Sequence, residues 1–231
     1  VYKVGLIGII QPVSDGLKLL FKEVGMLEKS NFLLYYISPL INFFLVILLY
    51  SLLPFSSAMD YFNLGSLFLL SILSVNIYSI ILIGWSSYSS YSFLSSVRMV
   101  AQMISYEVSL IILLLSVMLS VSSFSFMELE NIQFYMWLLS YYFIVGFMMM
   151  IIFLAESNRV PFDFIEGESE LVSGFNIEYG SGYFAFIFMA EYMSILFMSY
   201  LFIVLLLGSN LFNLIYYLKL LLMIYMYMLI R

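Results

Sequence analysis

The sequence contains no cysteine and no histidine. Without thiolate or imidazole it lacks the usual ligands of iron–sulfur clusters, haem and structural or catalytic zinc, so any electron carrier working with it is expected in a partner chain. The missing cysteine also leaves the redox compartment open. Charge is scarce as well, at 10% of residues with a formal net charge of −6, and no Lys/Arg cluster offers a surface for nucleic acid. No basic segment followed by an apolar run opens the chain, so no secretory signal is read. It begins at Val1 rather than Met, which is read as a start removed by processing or truncation.

What is present in excess is apolar surface. Hydrophobic residues make up 65% of the 231 positions, with 23 Phe, 20 Tyr and 16 Met, far more than a water-soluble domain of this length needs. The bias suits a compact AT-rich organellar genome. Crossing a bilayer takes roughly 20 apolar residues at about 1.5 Å each. Six stretches qualify: Phe32–Leu53, Leu64–Trp85, Arg98–Val121, Phe134–Ala155, Tyr183–Leu207 and Leu211–Ile230. Pro54 ends the first, Asn63 and Gly65 open the second, and the Ser/Tyr tract 86–92 and Gly208-Ser209-Asn210 separate later ones. The expected fold is an all-α integral membrane bundle of about six transmembrane helices forming a single domain over residues 1–231, with no internal repeat.

With six spans, Lys3, Lys18, Lys22, Lys29, Arg98, Arg159 and Arg231 fall on one side of the membrane, and only Lys219 lies within a span. The basic side is read as matrix or cytoplasm. It also carries residues 1–31 and the long acidic segment 156–182. In the first of these, Pro12 suits a first helical turn and Val13, Leu17 and Leu20 share a face, which predicts a short interfacial amphipathic helix. Either that helix only anchors the bundle, or it turns Asp15 toward a cavity.

Glu107, about nine residues past Arg98, and Glu191, about eight past Tyr183, are expected roughly 12 to 14 Å into the membrane from the basic side. A carboxyl at that depth faces a polar cavity, pairs with a cation or takes up a proton. Each is open to two readings, a protonated group bonding helices together or a step in a proton relay; Glu156, closing a third helix, strengthens the second. Lys219 approaches from the other side and is either a pathway residue or a snorkelling one. The segment 156–179 gathers Glu156, Asp163, Glu166, Glu168, Glu170 and Glu178 around the single cation Arg159. It is either a solvated connector or, because Phe162, Phe164, Ile165, Leu171, Val172, Phe175 and Ile177 interleave with the acids, a packed loop whose crowded carboxyls cannot all stay ionised. No metal-ligand spacing is convincing.

These residues also carry a resemblance. Ala155-Glu156-Ser157-Asn158-Arg159-Val160-Pro161-Phe162-Asp163 and Glu166-Gly167-Glu168-Ser169-Glu170-Leu171-Val172-Ser173-Gly174-Phe175-Asn176-Ile177-Glu178-Tyr179 resemble the subunit 1 family of NADH:ubiquinone oxidoreductase, respiratory complex I. Gln11-Pro12, Asp15-Gly16-Leu17-Lys18, Gly84-Trp85-Ser86-Ser87, Ile104-Ser105-Tyr106-Glu107-Val108 and Ala190-Glu191-Tyr192 follow in the matching order. Val160 stands where small residues are common in that family.

The resemblance implies a core subunit of a proton-pumping oxidoreductase in the mitochondrial inner membrane, with the acidic loop on the matrix side. It implies ubiquinone as substrate, and flavin and iron–sulfur clusters in partner subunits. Those partners are the quinone-reducing hydrophilic arm and adjacent membrane-arm subunits, with lipid around them and no nucleic acid. Glu107, Glu156, Glu191 and Asp15 would form a proton path, and Arg159, Asp163, Glu166, Glu168, Glu170 and Glu178 a quinone-chamber loop. Six of the family's eight spans would be present, without the first and last. Competing readings are the related membrane subunit of hydrogenase complexes, a proton-coupled secondary transporter using Glu107, Glu191 and Lys219, and a purely structural anchor.

Overall fold

The computed structural model describes residues 5, 8, 10–25, 29–53, 62–134, 136–163, 174–208 and 214–230. Among them there is no strand. The helices are α1 (Gln11–Phe21), α2 (Phe32–Tyr50), α3 (Gly65–Ser86), α4 (Ser90–Val121), α5 (Phe126–Gln133), α6 (Phe143–Glu156), α7 (Ser181–Phe202) and α8 (Leu214–Leu229). Four of these, counting α7 with the π-helical turn Ile203–Leu207 that extends it, are long and apolar enough to cross a membrane, while α6 and α8 are shorter apolar helices. The chain is an all-helical membrane bundle.

α7 is the central helix, with 67% of its apolar window buried against 28% for α4. It packs on α2, α6, α8 and α1, while α3 is sandwiched between α2 and α4. α1 starts at the predicted Pro12 turn and buries none of its residues, leaving Val13, Leu17 and Leu20 at least half exposed. An apolar stripe left open on a short helix fits the headgroup region.

Two interiors result. One lies where the acidic loop returns, built by Tyr35, Ile77, Ile83, Met99, Phe175 and Ile187; the larger fills the rest of the bundle around Leu69, Leu114, Leu129, Phe153 and Ile203. α3 and α4 approach closely at Gly84, whose carbonyl accepts from Ser92 Oγ at 2.9 Å. A Cβ at position 84 would sit 2.3 Å from Ser96 Cβ. Small residues allow this contact, as is common between membrane helices.

Two boundaries depart from the sequence expectation. α4 begins at Ser90 rather than Arg98, because Ser89 caps it: its hydroxyl accepts from Ser92 N at 3.3 Å. The Ser/Tyr tract read as a linker thus supplies the first turns of a 32-residue helix. The fourth expected span, Phe134–Ala155, is interrupted. α5 ends at Gln133, a 3₁₀ turn covers Leu138–Ser140, and α6 runs only from Phe143 to Glu156. An uninterrupted apolar run does not distinguish a helix from an apolar turn leading into one. Here Gln133 turns its amide to Leu205 O at 2.7 Å, and Trp137 lies under Lys219, 4.4 Å from ring centroid to Nζ.

Candidate functional site

The site is built on the end of α6. Glu156 is the helix's last residue and 5% exposed. Asn158 takes a left-handed conformation at φ 52, its N–H donates to Ala155 O at 3.3 Å, and Arg159 N–H donates to Leu154 O at 3.2 Å. This paired closure satisfies the last carbonyls of the helix, and Asn is among the few side chains that accept the left-handed position readily. Pro161 then prevents the helix from resuming. Gln102 of α4 fixes the same helix end laterally, donating from Nε2 to Ala155 O at 2.9 Å. One tight turn therefore leaves a buried carboxyl and, three residues on, a cation leaving the bundle.

That cation borders an outer cavity of about 250 Å³ between the start of the acidic loop, α7 and α8. Its walls include Arg159, Asp163, Phe188, Glu191, Tyr192 and Tyr227. The Arg159 guanidinium carbon lies 5.1 Å from the Tyr192 ring centroid, a cation–π contact. Tyr227 is 3% exposed and its hydroxyl has no hydrogen-bond partner among the described residues. The volume falls short of the roughly 300–1,000 Å³ of drug-sized sites. It suits a single ring more than a ring with a long tail.

A second, inner cavity of about 30 Å³ lies deeper, bounded by Asn42, Asn76, Glu156, Asn158, Glu191 and Ser194 among otherwise apolar residues. Glu191 and Asn158 line both cavities. These two polar residues therefore stand at the boundary between the cavities.

The family model described as NADH dehydrogenase matches residues 1–231. This chain belongs to the NADH dehydrogenase family. It is 46% identical over 229 residues to the NADH-ubiquinone oxidoreductase chain 1 of Aedes aegypti, covering 99% of this chain and 73% of that protein. The protein of the same name from Anopheles gambiae is 48% identical over 218 residues, 94% of this chain and 69% of its own length. That from Papio hamadryas is 46% identical over 206 residues, 89% and 65% respectively.

Within this member of the NADH dehydrogenase family, the residues singled out by sequence are gathered unevenly. Glu156 and Glu191 meet at the inner cavity, and Glu107, half-buried near the middle of α4, lies within electrostatic reach of Glu156. Because α4 starts earlier than expected, Glu107 is farther from the helix start than its sequence distance from Arg98 suggested. Arg159 and Asp163 border the outer cavity. Asp15 is exposed on α1 and lines neither cavity. Glu178 is half-buried, and its backbone carbonyl accepts from Tyr35 Oη at 2.8 Å. Glu166, Glu168 and Glu170 lie outside the described residues.

Three site residues escaped sequence reasoning. Tyr227 and Asn158 carry no charge, so charge scarcity could not flag them; the signal available for Asn158 was an Asn three residues past an apolar run and three before a proline. The third is Tyr179, which tethers the returning loop. Its hydroxyl lies 2.7 Å from Ser86 Oγ, 3.1 Å from Ile83 O and 3.4 Å from Ser38 Oγ, and its ring stacks on Tyr35 at 4.4 Å. Burial pushes the Tyr179 phenol up, the Ser38 and Ser86 hydroxyls opposing part of the shift. Lys219 is tied at the far end of the bundle. Its Nζ donates to Leu207 O at 2.5 Å, the last carbonyl of the π-helical turn, and lies over the Trp137 ring.

Proposed function

We propose that this chain is the membrane subunit of a NADH:ubiquinone oxidoreductase that receives the quinone ring in the outer cavity and passes the resulting charge change to Glu191, Glu156 and Glu107. The observation that carries the reading is the sharing of Glu191 and Asn158 between the two cavities. Reducing a quinone to a quinol takes two electrons and two protons, and reduced oxygens carry negative charge until protonated. Arg159 is the cation able to stabilise such an oxygen, and Tyr227 offers an unpartnered phenol that can donate to it.

Electrons reach the ring from carriers in partner subunits of the hydrophilic arm, flavin and iron–sulfur clusters, since this sequence has neither thiol nor imidazole. As the reduced ring draws protons, Glu191 at the boundary changes its proton occupancy, and the inner carboxyls follow because their charges are coupled. By the sequence resemblance alone, Glu166, Glu168, Glu170 and Glu178 are assigned to the quinone-chamber loop and Asp15 to the proton path. The loop faces the mitochondrial matrix, in keeping with the one-sided distribution of Lys and Arg. The test is Glu191→Gln in the assembled complex reconstituted in vesicles. Proton pumping coupled to quinone reduction should be abolished; full pumping by that variant sinks the role.

A further inference from the structure

We infer that Asn42, Ser79 and Asn76 form a polar wall that holds water in the inner cavity against Glu156 and Glu191, making them positioning residues for the proton step. The inference rests on the proposed proton path and extends it onto α2 and α3, which otherwise contribute apolar packing there.

α2 and α3 are strongly apolar helices, with mean hydropathies of 2.2 and 2.3 over their spanning windows. An amide in the middle of such a helix needs a polar partner, since lipid offers none. Asn42 is 7% exposed and Ser79 1% exposed. Ser79 Oγ lies 3.2 Å from Asn42 Oδ1, 3.3 Å from Asn76 Oδ1 and 2.7 Å from Asn76 O. The hydroxyl shares its one proton among these three acceptors, so Ser79 faces the oxygen side of both amides. Both amides line the inner cavity, and with their oxygens on Ser79 their NH₂ groups are the donors left for it.

Across the cavity the demand is complementary. Glu156 Oε1 and Asn158 Oδ1 are buried without a hydrogen-bond partner among the described residues. The cavity's volume of about 30 Å³ exceeds the roughly 10–15 Å³ needed to hold a water, and a buried water needs two to four polar partners. Glu156, Asn158, Glu191, Asn42 and Asn76 supply them. Amides neither ionise nor take up a proton near neutral pH, so the wall does not itself carry the proton. It fixes the water that does.

The alternative is that the three residues merely bond α2 to α3. Ser79→Ala and Asn42→Leu separate these, measured in the assembled complex in vesicles for quinone-reductase turnover, quinone KM, protons moved per quinone and the turnover ratio in H₂O and D₂O. We expect turnover to fall about fivefold, the effect of one lost hydrogen bond, with KM unchanged and a larger solvent isotope effect, and Asn42→Ser to restore most of the rate. Wild-type turnover, stoichiometry and isotope effect, with or without a lower thermal stability, would overturn the inference. Should Asn42→Leu not assemble, Ser79→Ala decides, because it removes one oxygen and leaves the packing volume. Glu156→Gln and Glu191→Gln are run alongside. If both keep full coupled pumping, the proton path itself fails. If they lose it while Ser79→Ala and Asn42→Leu do not, only the polar wall fails.

Discussion

Tyr179→Phe tests how the acidic loop is held to the bundle. Tyr179 is 2% exposed and the phenol is the only part of it that changes, so the stack on Tyr35 and the packing volume stay. What is lost is the contact at 2.7 Å to Ser86 Oγ, with the longer ones to Ile83 O and Ser38 Oγ. Ser86 keeps an acceptor, since its hydroxyl also reaches Ile83 O at 3.1 Å. Ser38, 1% exposed, loses the hydroxyl it faces. Breaking a buried hydrogen bond that leaves one partner short costs about 1–2 kcal/mol, equivalent to roughly a 5–30-fold rise in local opening. Hydrogen–deuterium exchange of residues 174–180 in the assembled complex reads this directly. Tyr35→Phe, which loses the bond to Glu178 O at 2.8 Å, should act on the same segment. Exchange within twofold of wild type in Tyr179→Phe would refute the tether. The pH dependence has a definite sign. The folded phenol titrates above the ordinary value of about 10, so the tether is at full strength below that and is lost as pH rises through the raised value. Exchange corrected for its intrinsic pH dependence should stay flat from pH 7 to 9 and rise above about 10.

Other substitutions probe separate parts. Lys219→Met removes the cation from Leu207 O and Trp137, and should lower the thermal stability of the subunit by about 1–3 kcal/mol while leaving protons moved per quinone unchanged. Gly84→Ala places a Cβ against Ser96 Oγ and Cβ and should prevent α3 and α4 from closing, read as loss of assembled complex; Ser96→Gly in the same chain removes that clash and should recover part of it. On the proposed reading, Tyr227→Phe should raise the quinone KM several-fold with little change in assembly, because its buried hydroxyl has no hydrogen-bond partner among the described residues; an unchanged KM would take Tyr227 out of the proposed ring site. Asn158→Gly keeps the left-handed turn and so reports on the amide alone, whereas Asn158→Ala adds about 1 kcal/mol of backbone strain. A slower turnover in both, with exchange at the end of α6 raised only in the alanine variant, is the expected pattern.

Length and hydropathy made most of the bundle legible. α2, α3, α7 and α8 end within a few residues of the sequence expectation because breakers such as Gly65 and Gly208 stand at their boundaries. The misread stretches are those where composition is uniform. Ser89 caps a helix inside a serine-rich tract that gives no contrast, and the apolar run 134–155 conceals a turn whose cause lies in α7 and α8, at Leu205 and Lys219. Among site residues, the carboxyls announced themselves because a charge in an apolar helix is costly wherever it points. Asn42 and Asn76, which are uncharged, were not singled out in the sequence. Their convergence on Ser79 depends on how α2 and α3 are rotated about their axes, which near-uniform apolar helices do not encode.

The end of α6 also bears on how a charge change outside could reach the carboxyls inside. Glu156 and Arg159 are three residues apart across one turn, the first facing the inner cavity and the second the outer one. Two unit charges on the order of 10 Å apart interact by about 1.7 kcal/mol at an effective dielectric near 20, enough to move a protonation equilibrium more than tenfold. On the proposed reading, a ring that gains negative charge beside Arg159 would cancel that cation's hold on its neighbours, and the response at Glu191 and Glu156 would need no helix movement. The helix end sets the sign: its negative dipole pole favours a cation at Arg159 and disfavours adding charge at Glu156. On the proposed reading, reduction outside therefore releases the carboxyls toward their protonated forms, and reoxidation or release of quinol reverses it. Arg159→Gln removes the fixed cation while keeping a donor of similar reach. It should weaken the dependence of proton uptake on quinone reduction more than it weakens quinone binding, which separates a charge relay from a simple binding residue.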